Sequence, residues 1–159
     1  MEIQKADVKD AREILDLQKL AYQSEAAIYD DYTIAPLTQS LDGIEADLQR
    51  QVFLKASANG KIVGSVRGYV RDGTCFIGRL IVHPDWQNRG IGTRLMNEIE
   101  EHFHRARRYE LFTGEKSERN RYLYQKLGYR IVRTERLTER VAIVYLEKTT
   151  TDSGQRRAT

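Results

Sequence analysis

The sequence predicts a single α/β domain, a mixed and mostly antiparallel sheet carrying about four helices. Three observations predict it. The chain has 159 residues, the size of one domain. Its apolar residues recur at strand spacing in some stretches and at helix spacing in others. Two tight-turn signals in the first half specify antiparallel hairpins, whereas strand–helix–strand passages in the second half require some parallel pairing. Apolar side chains make up 40% and charged ones 31%, which suits a packed core and not a disordered chain. The one cysteine, Cys75, excludes an internal disulfide and a Cys-rich zinc module. No apolar run reaches the length of a membrane span and the N-terminus lacks an apolar signal region, so a soluble, cytoplasmic protein is expected.

The elements follow in order. Asp7 and Asp10 place acidic groups at a helix start, and Ala11, Ile14, Leu15, Gln18 and Tyr22 continue at helical spacing. Residues 23–40 contain Pro36 and read as an irregular connection, a length that often carries function. Leu41, Ile44 and Leu48 mark a second short helix. Val52–Ser57 and Lys61–Arg71 read as strands joined at Asn59-Gly60, and Asp72-Gly73 leads into a third strand, Thr74–Val82. Pro84 ends that strand. Ile91, Leu95, Ile99 and Phe103 fall four apart, which predicts an amphipathic helix over 91–104. Tyr109–Thr113 is a short strand. Ser117 is placed to cap a helix running to Leu127, with Gly128 at its C-terminal end. Tyr129–Arg133 and Arg140–Glu147 complete the order β-α-α-β-β-β-α-β-α-β-β. The domain is expected over 1–148, followed by a disordered polar tail over 149–159, which lacks large apolar side chains.

Charge is unevenly distributed. Residues 1–75 carry a net −3, and residues 76–147 a net +4. Between Lys19 and Arg50 there are six acidic residues and no basic one: Glu25, Asp30, Asp31, Asp42, Glu45 and Asp47. Such a stretch is either a solvated face or a site for a cationic partner.

The densest signal is Leu80-Ile81-Val82-His83-Pro84-Asp85-Trp86-Gln87-Asn88-Arg89-Gly90-Ile91-Gly92-Thr93-Arg94-Leu95. An apolar strand enters a polar turn with two glycines, and the turn opens a helix. The unpaired amides of a first helical turn bind phosphate oxygens. Glycine lets a pyrophosphate approach the backbone, and Arg89 and Arg94 can add charge-assisted bonds. A Walker loop fails because Gly92-Thr93-Arg94 stands where Gly-Lys-Ser/Thr is needed. A Rossmann fingerprint fails because Leu95 stands where its third glycine belongs.

Gln87-Asn88-Arg89-Gly90-Ile91-Gly92 resembles the acyl-CoA pyrophosphate loop of the GNAT N-acetyltransferase superfamily, a Gln/Arg-x-x-Gly-x-Gly/Ala pattern. Asn120-Arg121-Tyr122-Leu123-Tyr124-Gln125-Lys126-Leu127-Gly128-Tyr129 is similar to that family's second signature. By residue pattern the resemblance covers about 80–94 and 117–129, and by element order essentially 1–147. It implies a GNAT-type acyl-CoA N-acyltransferase fold, its sheet splayed near the middle, with acetyl-CoA as the donor and no metal. The pantetheine arm would pair with the main chain of Leu80, Ile81 and Val82. Gln87, Asn88, Arg89, Gly90, Ile91, Gly92 and Thr93 would hold the pyrophosphate, and Asn120 would orient the arm. Tyr124 matches the family's usual general acid, a phenol that protonates or stabilises the departing CoA thiolate.

The resemblance implies direct acetyl transfer to a primary amine of a small molecule or peptide, by a monomer or homodimer. The acidic stretch points to a cationic acceptor, with Glu25, Asp30 and Asp31 as its contacts. A base is not evident on the third strand, which leaves a catalytically weak CoA-binding module of the same fold as the alternative. Arg79, inside that strand, calls for a paired carboxylate. His102 and His104 lie two apart and cannot share a metal on one helix face. The basic run His102–Arg108 reads as cations at a helix C-terminus and not as a nucleic-acid face. Cys75 reads as a small core residue.

Overall fold

The computed structural model describes residues 1–150. Seven strands form one open sheet in the order β1-β2-β3-β4-β5-β7-β6: β1 (Glu2–Lys5), β2 (Val52–Ala58), β3 (Lys61–Arg71), β4 (Thr74–Val82), β5 (Arg108–Gly114), β6 (Arg130–Arg136) and β7 (Ala142–Thr149). Asn59 and Gly60 take φ of 55° and 77°, Asp72 and Gly73 of 52° and 82°. These left-handed pairs are what two-residue hairpins require, and they make β2, β3 and β4 antiparallel neighbours.

The β4–β5 pair is parallel and brief. Thr74, Cys75 and Phe76 pair with Arg108, Tyr109 and Glu110, and the ladder goes no further. Beyond it β4 continues along β3 while β5 continues along β7, so the sheet opens into the expected splay. The second strand–helix–strand passage does not make neighbours of its strands, because β7 lies between β5 and β6.

Four helices of nine residues or more and two shorter ones cover the sheet: α1 (Ala11–Ala21), α2 (Gln23–Tyr29), α3 (Ala35–Thr38), α4 (Leu41–Arg50), α5 (Ile91–His102) and α6 (Glu118–Lys126). On one face, Leu95, Met96 and Ile99 of α5 are fully buried with Val66, Cys75, Ile77 and Leu146. Each such side chain contributes about 1.5–3 kcal/mol by leaving water. On the other face, Ile14 and Leu15 of α1 and Ile44 of α4 pack on Phe53, Ile62 and Ile81.

Residues 23–40 are not irregular as expected. Ser24–Ala27 extend into α2, which stops at Asp30 in the left-handed region (φ 49°), and Tyr29 anchors it against Val141 and Ile143. That anchor is a tertiary contact with a segment more than 100 residues away, which local spacing does not reveal. Pro36 falls in the first turn of α3, where its missing N–H is harmless. Asp7 and Asp10 form a reciprocal cap on a 3-10 turn before α1, and Asp10 also pairs with Lys55 at 2.9 Å. Thr149, read into the polar tail, is instead the last residue of β7, paired with Arg108, and the tail from 151 onward lies outside the described residues. Only the start of the basic run sits at the helix end, where His102 closes α5 and His104 Nδ1 lies 3.1 Å from the Glu101 carbonyl. Arg107 reaches the Asp72 carbonyl, and Arg108 pairs with Glu110 and Glu147 at 2.8 and 2.6 Å.

Candidate active site

A cleft of about 780 Å³ runs along the splay, bounded by the end of α1 and start of α2, the end of β4, the turn into α5, and α6. That volume is typical of a small-molecule or cofactor site. Leu80, Ile81, Val82, Gln87, Asn88, Gly90, Ile91, Gly92, Thr93 and Asn120 all line it. Arg89 is the one member of the turn that does not. Its guanidinium lies over the Trp86 ring at 4.6 Å, and Trp86 in turn lines the cleft.

The two glycines act differently. Gly90 caps α5 with φ 79°, and a Cβ there would meet nothing within 4 Å, so the outer side of the turn is bare. Asn88 is also left-handed, at φ 63°. A Cβ at Gly92 would meet Leu123 at 3.4 Å and Leu80 at 3.6 Å, so Gly92 is a matter of wall spacing inside the cleft more than of phosphate approach. Helix geometry leaves the first amides of α5 without intrahelical partners. Arg119, which the sequence reading passed over, donates to Gln87 Oε1 and, at 3.0 Å, to Asn88 Oδ1. It stands beside Asn120 in the second motif, and its place at the start of α6 opposite the turn was the available signal. Asn120 is held by its own bond to Thr113 Oγ1 at 3.3 Å.

Tyr124 lies on α6 with 5% exposure, in the core cluster beside Leu123 and not itself among the residues that line the cleft, and its ring meets that of Tyr129 edge-on at 6.2 Å. Burial pushes its phenol above the usual range, and Tyr22 and Glu25 add to the shift, so it stays protonated at neutral pH. Its hydroxyl has no hydrogen-bond partner among the described residues. Glu25 lines the cleft from α2, and its carboxylate accepts from the Ser117 hydroxyl at 2.7 Å. Ser117 therefore spends its hydroxyl on α2 and does not cap α6 as expected.

Asp30 and Asp31 do not join Glu25. Asp30 lines a separate pocket of about 410 Å³ with Lys116, Arg136 and Arg140, and its carboxylate is 3.8 Å from Arg140. Asp31 is turned to the hydroxyl and amide of Thr33, at 2.6 and 2.9 Å, which hold its carboxyl below the usual range. Asp47 is paired with Arg67 at 2.8 Å. Among the described residues Arg79 has no carboxylate partner. Its guanidinium donates to Gln39 Oε1 at 2.6 Å, from a left-handed backbone position (φ 44°) where the β3–β4 register shifts.

Cys75 is fully buried, which pushes its thiol up to about 12, with Glu100 adding to the shift. His83 Nδ1 accepts from the Asp85 amide and stiffens the turn after β4. Among the described residues no group of three or more His, Cys, Asp or Glu side chains is arranged around a metal position, and no helix is long and apolar enough to cross a membrane.

A family model described as the acetyltransferase (GNAT) family matches residues 11–129. The protein YqkA of Bacillus subtilis is 31% identical over 132 residues, which is 83% of this chain and 38% of YqkA, so the chain spans under two-fifths of that relative. An acetyltransferase of Pectobacterium atrosepticum is 32% identical over 99 residues, 55% of this chain and 68% of that protein. Among solved structures, the PaiA N-acetyltransferase of Thermoplasma acidophilum, in complex with coenzyme A, superposes with a TM-score of 0.78 at 17% identity, covering 93% of this chain and 98% of that one. A ribosomal-protein-alanine N-acetyltransferase from Brucella melitensis gives 0.75 at 16% identity, covering 94% and 99%. At these identities the structural matches establish a shared fold.

Proposed function

The chain belongs to the GNAT acetyltransferase family, and from that premise we propose that it transfers an acetyl group from acetyl-CoA directly to a primary amine. The observation that carries the reading is that the glycine turn, the end of β4, Asn120 and Glu25 all line one cleft. The residues fit an acyl-CoA: bare first-turn amides, an open outer side at Gly90 and a guanidinium at Arg119 all suit phosphate oxygens. When bound, acetyl-CoA supplies the acetyl group as a thioester.

The chain's own groups then have distinct tasks. The main chain of Leu80, Ile81 and Val82 orients the pantetheine arm, whose amides need partners in the splay. Glu25 meets the acceptor's ammonium and takes the proton that the amine must lose as its nitrogen bonds to the acetyl carbon. Tyr124, neutral and with no partner for its hydroxyl among the described residues, donates to the sulfur as the carbon–sulfur bond breaks. A positive charge on the acceptor is thus met by Glu25, and Asp30 and Asp31 take no part.

The test combines two measurements on the full chain. Calorimetry reads CoA binding, and thiol release from acetyl-CoA is followed across a panel of primary amines. Amine-dependent release with acetylated product supports the proposal. Tight CoA binding with no release for any amine makes the chain a CoA-binding module instead.

A further inference from the structure

On the face of the sheet under α1, α3 and α4, the guanidiniums of Arg67 and Arg79 share a cluster with the single carboxylate of Asp47. Arg67 is 6% exposed, lies 4.3 Å from the Phe53 ring centroid, donates to Asp47 at 2.8 Å and to Gln18 Oε1 at 2.7 Å. Arg79 donates to Gln39 Oε1, which also accepts from Gln18 at 3.0 Å, while the Gln39 amide donates to Asp47 at 2.7 Å. Asp47 and the two glutamine oxygens are therefore already engaged, and the cluster keeps an excess positive charge. Burial and the neighbouring Arg79 together lower the Arg67 guanidinium to about 10. Excess charge in so dry a place is costly unless an anion completes it.

Position gives that anion a meaning. Arg79 immediately precedes the Leu80–Val82 segment of the cleft, on a bulge that forces a non-glycine residue into the left-handed region. Such strain costs of order 1–3 kcal/mol and gathers at functional sites. Tyr22, which lines the cleft, lies within electrostatic reach of both Arg79 and Glu25. Arg79 does not itself line the cleft: its half-buried guanidinium, without a carboxylate partner among the described residues, is held by Gln39 one residue before the lining begins.

We propose that the acceptor is an amino carboxylate, its carboxylate bound by Arg79 with Arg67 behind it while Glu25 faces its amine. This rests on the amine-acetylation reading and names the substrate class within it. Arg79 contributes a charge-assisted, bidentate contact of the kind a planar carboxylate accepts.

The experiment compares matched acceptors in the thiol-release assay: an amino acid, its carboxamide, and the amine and diamine of similar length. In the wild-type chain the amino acid is expected to lead the other three in kcat/KM by on the order of 10-fold or more. Arg79→Gln should lower its kcat/KM about 10–100-fold, the worth of a charge-assisted bond, and lower the carboxamide's far less, with CoA affinity kept. A carboxamide, amine or diamine that matches or beats the amino acid overturns the proposal, as does an equal loss for amino acid and carboxamide in the variant. The wild-type ranking stands even where the variant does not fold. Should no acceptor release CoA, the amine-acetylation reading fails separately. Calorimetric titration of the amino acid and its carboxamide into CoA-saturated protein then decides: selective binding of the amino acid supports the anion site, and equal or absent binding overturns it.

Discussion

Replacing Tyr124 with phenylalanine should lower activity while leaving stability nearly unchanged. The hydroxyl has no hydrogen-bond partner among the described residues, so the substitution breaks no bond within the protein and orphans no group. The residue is 5% exposed, and its ring keeps its edge-on contact with Tyr129. The hydroxyl is not among the buried side-chain atoms left without a partner, so it is open to water and its loss relieves no buried-polar penalty. Tyr124→Phe should therefore stay within ~1 kcal/mol of the wild type, a Tm change of no more than about 2–4 °C at this size. Turnover should fall, because a positioned acid is typically worth ~10²–10⁴-fold. Initial rates of thiol release at saturating acetyl-CoA, with a thermal melt on the same preparation, read both quantities. Turnover within threefold of wild type, or a Tm lowered by several degrees, would refute the assignment and make Tyr124 a packing residue.

Three further outcomes are expected. Gly92→Val should press on Leu80 and Leu123, already 3.6 and 3.4 Å from a modest Cβ, and weaken CoA binding at least 10-fold by calorimetry, whereas Gly92→Ala should be nearly silent. Asp30→Asn with Asp31→Asn should leave acceptor KM within twofold, since both carboxylates face away from the cleft toward Arg140 and Thr33; a large rise in KM would restore them to the acceptor site. Burial raises the Cys75 thiol from 9.0 to about 12 and the Tyr22 phenol from 10.0 to about 12, so both hold their protons more tightly in the folded chain. The stability they add is complete below about pH 9 and is lost as pH rises toward 12; urea midpoints should fall over that window, and Cys75 should resist an aromatic disulfide reagent at pH 8 until the chain unfolds.

Where local chemistry decided the structure, the sequence was enough. Asn59-Gly60 and Asp72-Gly73 occupy the left-handed positions their hairpins need, and the four-residue spacing of Ile91, Leu95 and Ile99 became the buried stripe of α5. Departures came where distant parts of the chain supplied the energy. Tyr29 holds α2 in place by packing on β7, and the Ser117 hydroxyl leaves its own helix to bind Glu25, 92 residues earlier. The bulge at Arg79 has no local signature either, since arginine is an unlikely residue for a left-handed position by intrinsic preference.

The same division runs through the cleft. The side proposed for CoA is built from two nearly contiguous segments, 80–93 and 117–126, and so was legible as motifs. The side proposed for the acceptor draws on α1, α2 and the end of β4, and there a count of charge along the chain misled in a specific way. Six carboxylates between Lys19 and Arg50 implied an acidic wall, but each charge matters by what stands opposite it. Asp47 is cancelled by Arg67, Asp31 is turned to Thr33, and Asp30 faces Arg140 at a different pocket. Of these six Glu25 alone lines the cleft, while the Arg79 guanidinium, without a carboxylate partner among the described residues, belongs to a strand that the acidic stretch merely covers. At separations under 4 Å a partner in a dry site outweighs every more distant charge. An acceptor that meets Glu25 with its amine and Arg79 with a carboxylate, as proposed, is a zwitterion and not a polycation.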